Sequence, residues 1–403
     1  MPNSIAIIGG GAAGCFAAAV LSGIAPDCAI DVYEADNKLL AKVAITGGGR
    51  CNLTNTFESV GDLAEAYPRG FRLMKGALRA FSAGDTCEWF RAHGVRLKVE
   101  DEGRVFPVSD DAMQIVRTLE NELRRSGVRI HTGRRVTSIS PGFEVGFEDG
   151  SSVHADRVLV TVGGKKDFGF LSPLGLEIVP PVPSLYSFKL EDKAFRSLMG
   201  TVAEDVEAYL PGTKFRARGS LLVTDWGCSG PAVLKLSSYA ARHLAEAGWK
   251  GTLGVKWLPS FNENSLREYL AAIATDNPRR LVRSAHPAEL PARLWGFLTA
   301  RAGIPDDLTW SGLVGGGKSF SRLVNTLLSD QYTITGRGAF RDEFVTAGGV
   351  ALSCINPATM ECRAHPGLFF AGEVLDIDAI TGGFNLQAAW TTATLAARSL
   401  EKE

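Results

Sequence analysis

No run of eighteen apolar residues occurs anywhere in this 403-residue chain, so no segment reads as a helix long enough to span a bilayer. The amino terminus lacks the basic stretch of a secretory signal, and its apolar residues read instead as strand and helix. Neither sign of charge dominates: 43 Lys and Arg against 44 Asp and Glu leave a net charge of −1. Without a basic excess, no overall attraction to nucleic acid or to an anionic membrane is expected. The seven cysteines are odd in number and form no C-x-x-C pair. That argues against a thioredoxin-reductase-type dithiol and points to a reduced, cytoplasmic setting. The six histidines (93, 131, 154, 243, 286, 365) are scattered without ligand spacing, so no metal is expected. Internal repeats and low-complexity segments are also missing.

Glycine is plentiful, at 45 residues, and its placement is informative. The apolar strand Ser4-Ile5-Ala6-Ile7-Ile8 runs directly into Gly9-Gly10-Gly11-Ala12-Ala13-Gly14, a G-x-G-x-x-G loop that opens a helix. A second apolar run, Ala29-Ile30-Asp31-Val32-Tyr33, ends at Glu34. Gly9 suits the sharp turn, Gly11 admits a pyrophosphate close to the backbone, and Gly14 lets the helix lie against the strand. The helix N-terminus offers N–H groups and partial positive charge to phosphates. Glu34, at the tip of the second strand, is placed to accept the hydroxyls of an adenosine ribose. Together these predict a dinucleotide site.

The carboxyl-terminal region carries a second pattern. Gly367-Leu368-Phe369-Phe370-Ala371-Gly372 is an apolar strand ending at Gly372-Glu373, and Thr381-Gly382-Gly383-Phe384-Asn385-Leu386-Gln387 opens a last helix. The acid can accept a hydrogen bond from a ribityl hydroxyl. The helix N-terminus can face the flavin edge that gains negative charge on reduction.

Between these lie helices over about 72–93, broken at Ser82-Ala83-Gly84, and a helix capped by Ser109-Asp110. The latter places Met113, Ile115, Val116, Leu119 and Leu123 on or near its buried face and ends at Ser126-Gly127. Pro180-Pro181-Val182-Pro183 reads as a linker. The expected fold is α/β: a discontinuous Rossmann-like FAD-binding domain with an inserted mixed β plus helical substrate domain. Residues 1–183 and 336–403 form the first, and 184–335 the second, β-rich over 184–260 and helical over 261–335.

These motifs, with Thr46-Gly47-Gly48-Gly49-Arg50-Cys51-Asn52-Leu53-Thr54-Asn55, Val345-Thr346-Ala347-Gly348-Gly349-Val350 and Asn356-Pro357-Ala358-Thr359-Met360-Glu361, make the chain resemble the YhiN/BaiN-like family of FAD-dependent, NAD(P)-linked oxidoreductases. The resemblance runs from end to end. It implies FAD held by Gly9, Gly11, Ala13, Gly14 and Glu34, and by Lys42, Thr46, Gly48, Gly49, Arg50, Cys51 and Asn52. It further implies Gly163 and the segment containing Gly372, Glu373, Asp376, Gly382, Gly383, Phe384, Asn385 and Gln387. Val136 falls where such folds touch the adenine through backbone groups. Two departures stand out: the loop from Val162 to Gly169 is short, and Asp225 stands where relatives often carry histidine.

Other signals weigh less. Gly312 to Ser319 fits the P-loop pattern, but only Leu308-Thr309-Trp310 precedes it where a buried strand is required. Cys51 has no resolving partner and reads as a packing or cofactor-contact residue. Arg279, Arg280, Arg283 and Arg293 read as a solvated face. Arg50 is a candidate for binding pyrophosphate or an anionic substrate. The expected activity is transfer of hydride or electrons to or from a small organic substrate, with NAD(P)H as a transient reductant. A flavin-dependent oxidase using O₂ and a flavin-binding RNA-associated or regulatory protein are the alternatives. No catalytic acid or base stands out.

Overall fold

A computed structural model describes residues 2–165, 167–338 and 345–401. Of the short loop noted above, Lys166 lies outside the described residues. The chain forms two compact units, Met1–Val182 with Val345–Glu403, and Pro183–Phe344.

The first unit is built on a five-stranded parallel sheet. Its order is Leu368–Phe370, Arg157–Val160, β1 (Ser4–Ile8), β2 (Ala29–Tyr33) and Arg129–His131. β1 lies at the centre, and Ile5, Ala6, Ile7 and Ile8 are each at most 2% exposed. A strand covered on both faces has to be apolar throughout, which is why no alternation shows in its sequence. Helix α1 (Ala12–Ile24) follows and packs against the terminal helix Phe384–Leu400. Small residues make that approach close: Ala13, Gly14, Ala17 and Ala18 are all buried. Phe16 sits in an aromatic cluster with Phe81, Trp89, Phe90 and Trp390.

The helix Ala112–Arg125 buries Ile115, Val116, Leu119 and Leu123 as the periodicity predicts. Its cap is Asp111, which accepts from the Met113 N–H at 2.9 Å, so the helix starts later than Ser109-Asp110 suggests. Met113 consequently falls on the outer face and is 37% exposed. The proline stretch does carry the junction between the two units, which falls between Val182 and Pro183. It is also part of strand Ile178–Ser184, which among the described residues pairs only with Val345–Val350. Proline lacks an N–H, and a two-stranded sheet leaves edges on which that donor is not missed.

The second unit is a closed six-stranded barrel in the order Phe188–Leu190, Gly227–Ser229, Arg216–Val223, Val202–Tyr209, Gly251–Lys256 and Asp330–Arg337. Its apolar core, including Phe188, Leu221, Leu253 and Trp257, merges with that of helices Glu263–Asp276, Ala292–Arg301 and Lys318–Ser329. The strand Asp330–Arg337 runs across the expected boundary at 335/336. It pairs with Gly251–Val255 and with Phe188–Leu190, so closing the barrel requires it whole. No helix among the described residues is long and apolar enough to cross a membrane.

Candidate cofactor site

The turn after β1 shows why its glycines stand where they do. Gly9 has φ +109°, and a Cβ there would lie 2.6 Å from the Thr161 carbonyl oxygen. A Cβ at Gly14 would collide with the Gly9 carbonyl oxygen and stand 2.6 Å from Thr161 Oγ1. Gly11 differs: a Cβ there would meet nothing within 4 Å. The space in front of α1 is therefore open, and any side chain at Gly11 would project into it. Gly11 is the N-cap, with no capping side chain and no acid in the first turn. The first-turn N–H groups thus keep their capacity for an anion. Glu34 borders this cradle, its two oxygens accepting the Gly10 N–H at 2.7 Å and the Asp36 N–H at 2.9 Å. Each oxygen retains a lone pair for a ribose hydroxyl.

Distant segments close on this cradle. A Cβ at Gly372, itself at φ +77°, would stand 2.8 Å from Ala13 Cβ, so the terminal glycine motif touches α1. Glu373 accepts from Lys42 Nζ at 3.2 Å and from the Thr346 N–H at 2.9 Å. A Cβ on Gly163 would come 3.5 Å from the same carboxylate. Gly48 and Gly49 adopt φ of +69° and +84° with open space at their Cβ positions. Thr46 Oγ1 donates to the Lys42 carbonyl at 2.8 Å, closing the turn before them. Asn52, with its amide oriented to satisfy both neighbours, accepts the Gly383 N–H and donates to the Thr54 carbonyl, each at 3.2 Å. Gly383 caps the terminal helix at φ +92° without a side-chain cap. Asn385 holds the preceding loop through the Ala379 N–H and carbonyl, both at 2.9 Å. Asp376 donates its N–H to the Val350 carbonyl at 3.0 Å, and the Gly382 carbonyl accepts from Asn55. Val136 is half-buried in a short antiparallel strand opposite Phe147.

Several expected contacts are placed otherwise. Arg50 is taken by Glu100 and Asp110, with 2.8 Å from Nε to Asp110, and its guanidinium lies 4.3 Å over the Phe106 ring. Forked between two carboxylates, the guanidinium has four of its five N–H donors engaged and keeps only one for a phosphate. Cys51 is 0% exposed, and burial pushes its thiol up to about 12. It is a packing residue. Phe384 is buried too, its carbonyl accepting the Tyr67 hydroxyl at 2.8 Å. Gln387 is 0% exposed. Its Oε1 accepts from Thr54 at 2.5 Å and Thr86 at 3.0 Å, and its Nε2 donates to Thr391 at 2.9 Å. A side chain with no surface open to solvent has no face to offer a cofactor, so Gln387 is a clasp beneath the site.

Two contributors escape the sequence. Asn55 Nδ2 donates to the Gly382 carbonyl at 3.0 Å and Oδ1 accepts the Phe57 N–H at 2.8 Å, pinning the second glycine loop. Arg69 forms a bidentate pair with Asp378, which is 0% exposed. Asn55 ends a recognisable motif, but nothing local marks Arg69. The Gly312–Ser319 stretch joins two helices, Trp310–Gly315 and Lys318–Ser329, rather than a strand and a helix, so it is no phosphate loop.

Comparison with known proteins agrees with the resemblance read from the motifs. The HI0933-like protein Rossmann domain matches residues 3–399. The 3-dehydro-bile acid delta(4,6)-reductase of Clostridium scindens is 31% identical, over 98% of this chain and 98% of its own length. The ribosomal RNA dihydrouridine synthase of Escherichia coli is 30% identical, over 98% and 97%. Among solved structures, a 3-ketosteroid-delta4-(5alpha)-dehydrogenase from Rhodococcus jostii aligns over 100% of this chain and 97% of its own, with a TM-score of 0.51. At 14% identity that likeness is one of fold.

Proposed function

We propose that this chain, which belongs to the HI0933-like Rossmann family and is an FAD-dependent oxidoreductase, uses NAD(P)H to reduce a carbon–carbon double bond conjugated with a carbonyl group in a small organic molecule. The observation that carries the reading is a shared chemistry. A 3-dehydro-4,6-diene steroid and a uracil ring both present an alkene conjugated with a carbonyl, and the two relatives are named for saturating it. The residues fit FAD. The open cradle at Gly11 and the first turn of α1 would hold its pyrophosphate, and Glu34 its ribose. Glu373, steadied by Lys42, would accept a ribityl hydroxyl.

FAD supplies hydride transfer when bound; the chain's own residues bind it, orient it and bias its charge. The N-terminus of Phe384–Leu400 has no acid in its first turn, so its partial positive charge favours an electron-rich ring nearby. A single dinucleotide fingerprint is present, so the nicotinamide reductant visits transiently rather than residing.

The test is anaerobic. NADH and NADPH are each titrated into the purified holoprotein, and the flavin band is followed. Bleaching, then recovery on adding a conjugated enone but not its saturated ketone, is the expected result. Recovery with O₂ alone, coupled to turnover of amines or alcohols, would replace the reductase with an oxidase. A second reading, an RNA substrate, is favoured by the dihydrouridine synthase relative and opposed by the net charge of −1. Filter binding to ribosomal RNA at two salt concentrations separates the two, because RNA contacts through phosphate weaken steeply with salt.

A further inference from the structure

The loop that opens the terminal helix is fastened from one side by a short segment, residues 66–70. The Ala66 carbonyl accepts the Ile380 N–H at 2.9 Å, and the Tyr67 hydroxyl donates to the Phe384 carbonyl at 2.8 Å. Gly70 packs so closely that a Cβ there would stand 2.6 Å from Ile377 Cγ1. Between these contacts Arg69 forks onto Asp378. Asn385 ties the Ala379 N–H and carbonyl, and Asn55 ties the Gly382 carbonyl.

Of these ties only the fork of Arg69 on Asp378 carries charge. The Asp378 side chain is 0% exposed and that of Arg69 12%. Taking two charges out of water is costly, and an apolar pair of similar volume commonly holds a fold as well. The neutral hydrogen bonds already hold this loop, so fastening alone does not call for an ion pair. What the pair adds is a field, because buried charges are poorly screened. Asp378 precedes Ala379, and Asn385, in the first turn of the helix, grips Ala379 by both backbone groups. The pair therefore lies within about 10 Å of the helix N-terminus. That end has no acid in its first turn. At such a distance and an effective dielectric of about 20, one unit of charge shifts a charging equilibrium at the helix end by about tenfold.

We propose that the Arg69–Asp378 pair sets the reduction potential of the bound flavin. Arg69 favours the negative charge that the ring gains on reduction, and Asp378 offsets that pull, so that the reduced ring gives up its electrons readily. Both are positioning residues, acting through the loop and the helix end that they hold. The proposal rests on the flavin ring lying at this helix, and not on the identity of the reductant or the substrate.

The experiment is an anaerobic reductive titration of the purified holoprotein at fixed pH, with xanthine and xanthine oxidase as electron source and a reference dye of known potential. Asp378→Asn keeps the shape of the side chain and removes its charge. It is expected to raise the ratio of reduced to oxidised flavin at a fixed potential by about tenfold, a rise of about 30 mV for a two-electron couple. Adding Arg69→Met removes the matching positive charge and returns the ratio to within about twofold of the wild type. A pair that only fastens the loop predicts the opposite ranking, with the double variant displaced furthest. Leu386→Glu, an acid in the first turn of the helix, is the control for the place of the ring and lowers the ratio by about tenfold. Should Asp378→Asn not retain flavin, Arg69→Gln carries the test with the opposite sign, a fall of about tenfold, and no change there counts against the pair. An unchanged or lowered ratio in Asp378→Asn while Leu386→Glu responds, or a double variant shifted as far as Asp378→Asn, overturns this proposal alone. If neither Asp378→Asn nor Leu386→Glu moves the ratio, the ring lies elsewhere, and the placement of the flavin at this helix falls together with the proposal.

Discussion

Replacing Gln387 with leucine separates two accounts of the segment that opens the terminal helix. If Gln387 is a buried clasp, the loss falls on stability. Among the described residues the Thr54 hydroxyl has no hydrogen-bond partner other than Gln387 Oε1, so it is stranded. Thr86 keeps the Ser82 carbonyl at 3.2 Å, and Thr391 keeps the Phe81 carbonyl at 2.9 Å. One stranded hydroxyl costs about 1–3 kcal/mol and the weakened neighbours about 1 kcal/mol more, so the total is about 2–4 kcal/mol. Leucine has a similar volume and leaves no large cavity. At about 2 °C per kcal/mol for a unit of this size, the apoprotein melts about 4–8 °C lower. FAD affinity of the folded variant stays within about threefold, because no contact to the cofactor is lost. Adding Thr54→Val removes the stranded group and recovers about 1 kcal/mol, since deleting both partners of a hydrogen bond is nearly neutral. Differential scanning fluorimetry and FAD titration read the two quantities. An unchanged melting temperature with FAD bound about tenfold more weakly would refute the reasoning from burial.

Other perturbations test the rest of the site. Gly14→Ala drives a methyl group into the Gly9 carbonyl; overpacking of about 1–3 kcal/mol and loss of FAD on gel filtration are expected. Arg69→Met leaves the fully buried Asp378 without its bidentate partner, and chemical denaturation should show about 3–5 kcal/mol of lost stability, largely recovered by adding Asp378→Asn. Arg50→Gln should leave FAD affinity unchanged in the same titration, because Glu100 and Asp110 already occupy the guanidinium. The Cys51 thiol, raised from 9.0 to about 12 by burial, is protonated in the fold and ionises more readily when unfolded. Its contribution is therefore intact below pH 9 and declines by about 1.4 kcal/mol per pH unit from there towards pH 12. Cys51→Ala should flatten that alkaline decline in urea unfolding curves.

What could be read along the chain, and what could not, divides on how far a residue's partner lies from it. The demands on Gly9 and Gly14 come from a single turn and are answered by one residue type at fixed spacing, so they are visible in six consecutive letters. Glu34 is legible for the same reason, standing where a strand ends beside that turn. Arg50 and Gln387 sit in equally suggestive local company, yet their partners settle what they do. Those of Arg50 are 50 and 60 positions away, and those of Gln387 through Oε1 are 301 and 333. A polar side chain beside a glycine loop reads as a ligand contact until such partners are known.

The barrel boundary fails in a related way. Asp330–Arg337 has the alternating pattern of any half-buried strand, and only closure of the barrel decides to which unit it belongs. Pro180 to Pro183 do mark the junction of the two units, and they still run as strand because a strand with one neighbour spends only half its donors. Arg69 and Asp378 form the limiting case. Neither has a local reason to be noticed, and the buried carboxylate of Asp378 is paired with a cation 309 positions away. Local backbone geometry thus announces where a cofactor can lie. The side chains that hold that geometry in place are chosen by tertiary pairing, and for them burial is the decisive observation.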